Sequence, residues 1–494
     1  MTIIMKTFCK KVEALFQKDC FWKWSCIIVF GIVNVMYLYL ALCKTFHYDE
    51  AYSIGIAANS FGEIIDITSR DVHSPFYYFV LKLFCMLPGL NELVGAKILS
   101  WLFMFLYMAF SAYVVYRRYG WKVAFFWTLV SGFVPSMIIQ STTVRMYTMG
   151  LFFVTVASYL AYSIYQRETM KKWILFTICS ALSVYIHTFC MLEMVAVYGV
   201  LLLAVLIKKK YKMLGKVLGS GIIVSICFLP WLFTLWQQFT RWAGWENGWE
   251  GTFLPVSLES STIYLSEWFS SMEYPQPLTV LFWVVLLLFA SFHVRDYVRR
   301  SKDYLPCMGM ILVGIILVVA TVVSNYVAPC FLGRYALPLF AGVWLFAAIG
   351  IAKCQNYIKQ IVISVLVIFF GIMAYRTEVQ IEDASGLNTY IECVENNMDL
   401  SEDVIMADRY FNMMFSIYYP EARYMVYGYS PEGLPFRNTE TFTSWEQLEG
   451  VDTVWLISFA DNQGADLSEK FEAIQSFTFD YSYYQIKVEK LTRR

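Results

Sequence analysis

Long apolar runs, separated by short polar and charged segments, recur along most of this chain of 494 residues. A helix that crosses a bilayer needs roughly 17 to 25 mostly apolar residues, so a run of that length with few charges predicts one spanning helix. The runs that meet or approach this length are Trp24–Cys43, Leu93–Tyr116, Val123–Gln140, Tyr147–Tyr165, Trp173–His187, Cys190–Ile207, Val217–Trp236, Leu278–Val294, Leu305–Val323, Tyr335–Ile351 and Ile358–Tyr375. They predict an α-helical polytopic membrane protein with about eleven transmembrane helices.

The lysine and arginine residues between these runs cluster in every second loop. Because basic residues are retained on the cytoplasmic side, this alternation predicts a multi-pass protein of the cell membrane with a cytoplasmic N terminus and an extracytoplasmic C terminus. The clusters begin at Lys6, Arg117, Arg167, Lys208, Arg295 and Lys353. One missed or invented helix would place the later clusters on the wrong side, so the alternation supports the span count.

Residues 44–91 form a long first external loop in this topology. Within it, Phe76–Leu87 is an apolar stretch of only about 12 residues, and a crossing there would break the alternation. We therefore expect a helix that lies along the outer interface. Ile54–Ala58 and Glu63–Ile67 are expected to form two further short interfacial helices.

Residues 376–494 differ in composition from the rest of the chain. They contain 21 acidic and 9 basic residues, against 17 acidic and 29 basic in residues 1–375. An acidic tail suits a water-exposed domain, and a basic remainder suits anionic lipid headgroups. Helices are expected at Asn388–Met398, Phe411–Tyr418 and Leu467–Ile474, and strands at Asp403–Ala407, Ala422–Tyr427, Asp452–Phe459, Ser476–Tyr481 and Tyr484–Lys490. This order predicts a small extracytoplasmic α/β domain that follows a membrane domain of residues 1–375.

Overall composition agrees with the membrane interpretation. The chain is 59% apolar and 18% aromatic, and its mean hydropathy is +0.53. These values exclude an ordinary soluble protein of several domains. We expect membrane lipids as partners, and no nucleic acid.

The candidate chemistry lies in the first external loop. Asp49 and Glu50 are adjacent acids just after the first span, and Asp71 precedes His73 further along the same loop. Ionisable groups beside a membrane are costly unless they face water and function, and a carboxylate there can accept a proton from a substrate hydroxyl. A second interpretation is that the acids only solvate a helix end and that His73-Ser74-Pro75 forms a turn.

The sequence Asp49-Glu50-Ala51-Tyr52, followed by Asp71-Val72-His73-Ser74-Pro75-Phe76-Tyr77-Tyr78, resembles the pattern D-E…D-x-H-P-P-L-Y-Y of family 39 glycosyltransferases. These are relatives of protein O-mannosyltransferases and of the bacterial transferase that adds aminoarabinose to lipid A. Further matches are Arg145-Met146-Tyr147, Tyr185-Ile186-His187 and Arg334-Tyr335. The chain departs from the family at Ser74, where a proline is usual, and at Thr188, where a tyrosine or lysine is frequent.

The resemblance implies a GT-C glycosyltransferase fold and a polyprenyl-phosphate-sugar donor. It implies a hexosyltransferase or mannosyltransferase-like enzyme that inverts the anomeric configuration, with a lipid, protein or wall-polymer acceptor. Asp49 would be the general base, and Glu50 and Asp71 would orient the acceptor. Alternatively these three acids hold a divalent cation as a cofactor.

Donor contacts follow from the same resemblance. Arg145 with Tyr147, and Arg334 with Tyr335, would bind the phosphate at the outer ends of two spans. The other interpretation of both arginines is interfacial snorkelling beside an aromatic residue. The sugar or the acceptor would be contacted by His73, Tyr77 and His187. His187 could instead be a packed, hydrogen-bonded histidine.

A transporter or flippase of lipid-linked sugars is the competing function. It would also have many helices and outward charges, but repeated halves, interrupted spans and ionisable residues near the midplane are typical of transporters. The sequence has no internal repeat, and Glu193 is the one acid inside a predicted span. The first-loop acids therefore favour the enzyme.

Overall fold

The computed structural model describes residues 14–243, 255–270, 276–327, 329–381, 385–428, 438–460, 465–481 and 484–494. The structure up to residue 381 is helical. Its helices are α1 (Asp19–Cys43), α2 (Tyr48–Ala58), α3 (Phe61–Arg70), α4 (Phe76–Cys85), α5 (Glu92–Tyr119), α6 (Trp121–Phe133), α7 (Pro135–Gln140), α8 (Tyr147–Gln166), α9 (Met170–Val184), α10 (Thr188–Ile207), α11 (Tyr211–Ala243), α12 (Leu258–Phe269), α13 (Pro277–Ser301), α14 (Leu305–Tyr326), a 3₁₀ helix (Gly333–Leu339), α15 (Phe340–Lys353) and α16 (Tyr357–Ile381).

Nine spans in the described part of the chain are long and apolar enough to cross a membrane, which confirms a polytopic membrane protein. The other two predicted spans are helical but shorter. Val123–Gln140 is divided between α6 and α7 at Val134, which is extended because the following Pro135 disfavours helical geometry at that residue. Trp173–His187 corresponds to α9, which has 15 residues and ends at Val184. By helix length alone, the described part of the chain therefore has nine membrane spans and not the predicted eleven.

The span that contains the 3₁₀ helix and α15 lies at the centre of the bundle. Its most apolar window is 89% buried, whereas the corresponding value for each of the other spans is 56% or less. Gly342 in this span approaches Gly309 of α14 so closely that a Cβ on either residue would overlap the backbone of the other. Small residues allow such close helix crossings in membranes.

The first external loop folds into three short helices, as the sequence predicts, although α2 and α3 begin earlier than expected. Glu50 accepts from the His47 amide, and Glu63 accepts from the Ser60 amide, so each carboxylate caps the start of its own helix. The apolar helix α4 has 10 residues, which is too short to cross a bilayer.

The C-terminal part of the chain is a small domain built on a six-stranded sheet, which confirms the predicted class. Its elements are α17 (Ser385–Asn397), β1 (Val404–Ala407), α18 (Arg409–Phe415), β2 (Arg423–Val426), β3 (Thr439–Thr441), β4 (Thr453–Phe459), β5 (Phe471–Tyr481) and β6 (Tyr484–Arg493). The strand order is β3-β2-β1-β4-β6-β5. The first four strands are parallel, and β6 and β5 add in the antiparallel direction.

The structure differs from the predicted elements at three places in this region. The helix predicted at Leu467–Ile474 is wrong, because β5 begins at Phe471 and its pairing with β6 overrides the local apolar pattern. Strand β3 was not predicted, since it has only three residues and pairs with β2 alone. Helix α16 continues past residue 375 to Ile381, and its last turns carry Glu378, which pairs with Lys44 at 2.9 Å.

Candidate active site

A cavity of about 950 Å³ opens at the end of the bundle where the first-loop helices lie. Its polar end is lined by Asp49, His73, Arg145, His187 and Arg334. These residues come from the first loop and from the ends of separate spans, so the fold brings together groups that are far apart in the sequence.

The remainder of the cavity is apolar and lies between α10, α11 and α14. Leu229, Leu232, Phe233 and Trp236 of α11 form one wall, and Val319 lies on the opposite side. The four α11 side chains are 50% to 68% exposed, so this wall continues onto the lipid-facing surface of the bundle. The cavity therefore joins a charged end to an apolar channel that is open to the membrane.

Asp49 lies in the first turn of α2, and its side chain is about half exposed, at 49%. Its carboxylate is 3.8 Å from the Nη2 atom of Arg334. Partial desolvation in the cavity would raise the pKa of Asp49, but the positive charges of Arg145 and Arg334 outweigh that effect and lower the pKa below its ordinary value. At neutral pH this side chain is therefore an ionised carboxylate.

Arg334 occupies a position between two acids at the start of the 3₁₀ helix. Its Nη1 atom is 3.7 Å from Glu267 of α12, and its Nε donates to the Tyr147 hydroxyl at 3.1 Å. Its guanidinium also lies 6.0 Å from the ring centre of Tyr335. Both carboxylate contacts are longer than a close charge-assisted hydrogen bond, and the side chain is 26% exposed, so the guanidinium can accept an anionic ligand.

Arg145 is buried and is held by several internal contacts. Nη1 donates to the backbone oxygen of Asp49 at 3.3 Å and to the Ser53 hydroxyl at 3.2 Å. Nη2 lies 2.7 Å from Nε2 of His73, whereas Nε has no partner among the described residues. This arginine therefore orients the turn that carries Asp49 while it also lines the cavity.

The contact with Arg145 fixes the tautomer of His73. Arginine has only donors, so Nε2 of His73 must accept and Nδ1 must carry the proton. Nδ1 lies 3.2 Å from the Asp71 carboxylate. Burial would raise the pKa of Asp71, but the interaction with His73 lowers it below the ordinary value. Asp71, His73 and Arg145 thus lie next to one another in that order, and Arg145 also donates to the Asp49 backbone oxygen.

Glu50 points away from the cavity. Its Oε1 accepts from Lys97 Nζ at 2.8 Å and from the Val144 amide at 2.7 Å, and both side chains of the ion pair are 3% exposed. Its Oε2 accepts from the His47 amide. The structure therefore places Glu50 in a buried anchor for α2 and does not bring it to the cavity with Asp49.

The remaining predicted contacts divide between the cavity and the core. His187 lines the cavity, caps α10 by accepting from the Phe189 amide at Nδ1, and lies 4.7 Å from the Tyr335 ring. Burial, followed by the nearby positive charges, lowers the pKa of His187 well below its usual value, so it is a neutral ring. Tyr77 is 1% exposed and packs against Tyr78 outside the cavity lining.

The three first-loop acids do not converge as a metal site. Glu50 is occupied by Lys97, and Asp71 faces His73. Among the described residues, no group of three or more histidine, cysteine, aspartate or glutamate side chains is arranged to hold a metal ion. A divalent cation held by these acids therefore stays a prediction.

Three residues whose contacts hold this region together are not among those that the sequence singles out, namely Lys97, Glu267 and Gln238. Lys97 could have been suspected, because it is a lysine inside a predicted apolar span. Glu267 and Gln238 have no such signal. Gln238 of α11 donates to the backbone oxygens of Thr68 and His73, at 2.7 and 3.4 Å, so it connects the apolar wall to the first loop.

The multi-span helical bundle, the first loop folded over its charged end and the small terminal sheet domain match the GT-C fold class that the sequence predicts. The chain is similar in structure to ArnT from Cupriavidus metallidurans, both in the apo state and bound to undecaprenyl phosphate. In each comparison the TM-score is 0.62 and the identity is 10%, over 94% of this chain and 97% of that chain.

A weaker likeness, with a TM-score of 0.45 and 9% identity, is to the Archaeoglobus fulgidus oligosaccharyltransferase in complex with zinc and sulfate; it covers 87% of this chain and 67% of that chain. No protein-family model matches the chain, and no curated protein matches it either. Membership of family 39 therefore remains a prediction.

Proposed function

We propose that this protein is a membrane glycosyltransferase that transfers a sugar from a polyprenyl-phosphate-sugar donor to an acceptor hydroxyl on the extracytoplasmic face. The observation that carries the proposal is that one cavity joins a cationic, acid-bearing end to an apolar channel open to lipid. A polyprenyl-phosphate sugar has the matching order, in which a polar sugar and an anionic phosphate are followed by an apolar lipid chain. The related structure of ArnT bound to undecaprenyl phosphate supports this assignment.

Arg334 is assigned as the principal ligand of the donor phosphate. It is the more exposed of the two cavity arginines, and its carboxylate contacts are loose enough to be exchanged for phosphate oxygens. Tyr147 and Tyr335 flank its guanidinium and orient it. Arg145 adds positive potential from beneath, although its contacts to Asp49, Ser53 and His73 give it mainly a positioning role.

Asp49 is assigned as the general base. As the acceptor oxygen bonds to the anomeric carbon, Asp49 takes the hydroxyl proton, and the bond between that carbon and the phosphate oxygen breaks with its electron pair on the lipid phosphate. Attack opposite to the leaving phosphate inverts the anomeric configuration. The new charge on the phosphate is stabilised by the fixed cations of Arg334 and Arg145.

The other first-loop residues act through Asp49 or on the sugar. Glu50 holds the first turn of α2 through Lys97, and Asp71 fixes His73. His73 and His187 line the cavity, and we assign them contacts to the sugar. Tyr77, which the resemblance implied as a contact, supports the loop from the core in this assignment.

The transporter alternative has one candidate group inside the bundle. Glu193 of α10 is fully buried, beside the Cys190 thiol. It does not line the cavity, however, whereas Asp49 and both arginines do. We therefore prefer the enzyme.

Binding of undecaprenyl phosphate to the purified protein in nanodiscs tests the donor site directly. We expect saturable binding that weakens when Val319→Trp fills the channel. The matched control is Val318→Trp, one residue away on the same helix, where the side chain is 65% exposed and outside the cavity lining. Absence of saturable binding by the unchanged protein would refute the lipid-phosphate donor.

Mass spectrometry of cell-envelope glycans, with and without the gene for this chain, tests the transfer and identifies the sugar. We expect one sugar to be lost from a lipid, protein or wall-polymer acceptor, and complementation with Asp49→Asn not to restore it. Accumulation of an untransferred lipid-linked sugar on the cytoplasmic leaflet alone would instead favour the flippase.

A further inference from the structure

The C-terminal domain contacts the turn of α2 that carries Asp49. Arg409 Nε donates to the Tyr48 hydroxyl at 2.9 Å, and its guanidinium lies 5.7 Å from the Tyr48 ring centre. The Tyr410 ring stacks on the Tyr48 ring, with centroids 5.0 Å apart and planes 6° apart. Tyr48 is the residue immediately before Asp49, so this contact reaches the proposed base through one peptide bond.

Arg409 and Tyr410 occupy a particular place in the sheet domain. They follow the carboxyl end of β1, which lies between β2 and β4, and the Tyr410 ring also approaches Phe459 at the end of β4, at 6.5 Å. The chain leaves β1 toward β2 on one side and reaches β4 on the other. In open α/β sheets this switch point is where functional contacts are usually made. Here a residue of the membrane domain, Tyr48, lies against it.

Three separate groups therefore fix one helical turn. Lys97 holds Glu50, Arg145 holds the Asp49 backbone oxygen, and Arg409 holds Tyr48. The first two belong to the membrane domain, whereas the third comes from a domain that begins more than 300 residues later in the chain. A turn restrained from both sides keeps its carboxylate in a fixed direction, which is the requirement for a general base.

We propose that Arg409 and Tyr410 are positioning residues of the transferase site. Through the hydrogen bond and the ring stack to Tyr48, the C-terminal domain sets the position of Asp49. The inference rests on the proposed function and extends it by making this domain part of the catalytic unit. Its effect is on the rate of transfer and not on donor binding, because neither residue lines the cavity.

A purely mechanical docking role is the competing explanation. Met413 and Ile417 are buried in the core of the membrane domain, and Tyr418 packs against Phe46 with ring centres 6.2 Å apart. These apolar contacts already attach the domain. The hydrogen bond from Arg409 to a single hydroxyl oxygen adds direction to that attachment, and its removal by Tyr48→Phe leaves the ring stack and the apolar contacts in place.

The experiment compares Arg409→Ala, Tyr48→Phe, their combination and Arg409→Lys in full-length protein in nanodiscs. We expect both single variants to lower kcat for sugar transfer by about 10- to 100-fold, since small misplacements cost rates of that order. The double variant should be no slower than the slower single variant, because both changes remove the same hydrogen bond. Arg409→Lys should recover part of the rate. Arg423→Ala is the control, because Arg423 lies at the opposite end of the parallel strands and pairs with Glu440.

Two further measurements separate positioning from docking and from the proposed function. Affinity for undecaprenyl phosphate should be unchanged in Arg409→Ala, whereas hydrogen exchange of the amides in residues 48–58 should accelerate. Normal exchange with normal kcat, additive losses in the double variant, or a parallel loss of lipid affinity would overturn the positioning role. If the unchanged protein transfers no sugar while Arg409→Ala still accelerates exchange in this helix, the proposed function fails, but the conclusion that Arg409 restrains the helix through Tyr48 stands.

Discussion

The guanidinium of Arg334 lies 3.8 Å from the carboxylate of Asp49, close enough to lower its pKa and too far for a tight hydrogen-bonded pair. The same guanidinium is 3.7 Å from Glu267. A donor phosphate that binds Arg334 would neutralise much of its positive charge. Asp49 would then lose part of the interaction that lowers its pKa, and it would become a stronger base only when the donor is present.

This relationship predicts a shifted pH profile in Arg334→Gln. Partial desolvation raises the pKa of Asp49 and the arginines lower it, so removing one arginine raises the pKa. The base is ionised only above its pKa, so the acid limb of kcat/KM should move to higher pH. We expect a move of about 1 pH unit, which is the low end of the pKa shifts that a neighbouring charge causes. The profile is measured on the residual rate of the variant. An acid limb at the same pH would show that Arg334 does not act on the titrating group.

Arg334→Lys should weaken the donor interaction with the fold intact. Lysine keeps the charge but loses the fork geometry that binds two phosphate oxygens. We expect a higher KM for the donor and weaker binding of undecaprenyl phosphate, with normal insertion into the membrane. Arg241→Lys is the control, because Arg241 contacts the backbone oxygens of Ser69 and Arg70 at an exposed position. Unchanged donor KM would return Arg334 to an interfacial, snorkelling role.

Asp49→Asn should reduce transfer by about 10²- to 10⁴-fold, which is the usual contribution of a general base. Asparagine keeps the shape of the side chain but cannot take the acceptor proton, so donor binding should persist. The matched control is Asp66→Asn, which removes an exposed acid of the same loop that pairs with Arg70 at the surface. Near-normal transfer by Asp49→Asn would remove it as the base and make Asp71 the next candidate.

The predicted orientation can be tested by labelling single cysteines from outside the cell. In a background in which the exposed Cys20 and Cys227 are serine, a thiol at Glu449 should react with an impermeant reagent. A thiol at Lys212, in a basic cluster predicted to be cytoplasmic, should react only after permeabilisation. The reverse pattern would place the candidate site on the cytoplasmic side and contradict the proposed reaction.

The sequence predicted the parts of this protein that depend on local patterns. The lengths of the apolar runs predict the membrane spans. Asp49 and Arg334 are both candidate site residues in the sequence, but nothing in their spacing indicates that their side chains lie close together. Long-range partners could not be predicted. Lys97 neutralises Glu50 only after α5 packs beside the first loop, and β5 takes its strand geometry from β6. The adjacent acids looked equivalent in sequence, yet α2 turns one to the cavity and the other to the core.

That division between the two acids predicts that Glu50 and Lys97 act on stability. Both side chains are 3% exposed, so Glu50→Gln leaves a buried ammonium, and Lys97→Met leaves a buried carboxylate. Breaking such a pair from one side costs about 3 to 5 kcal/mol, whereas removing both charges costs less. Thermal unfolding of purified protein, followed by tryptophan fluorescence, should therefore show a lower Tm for each single variant than for Glu50→Gln/Lys97→Met. Single variants with an unchanged Tm and reduced transfer would show that Glu50 acts in the chemistry and not as the anchor of α2.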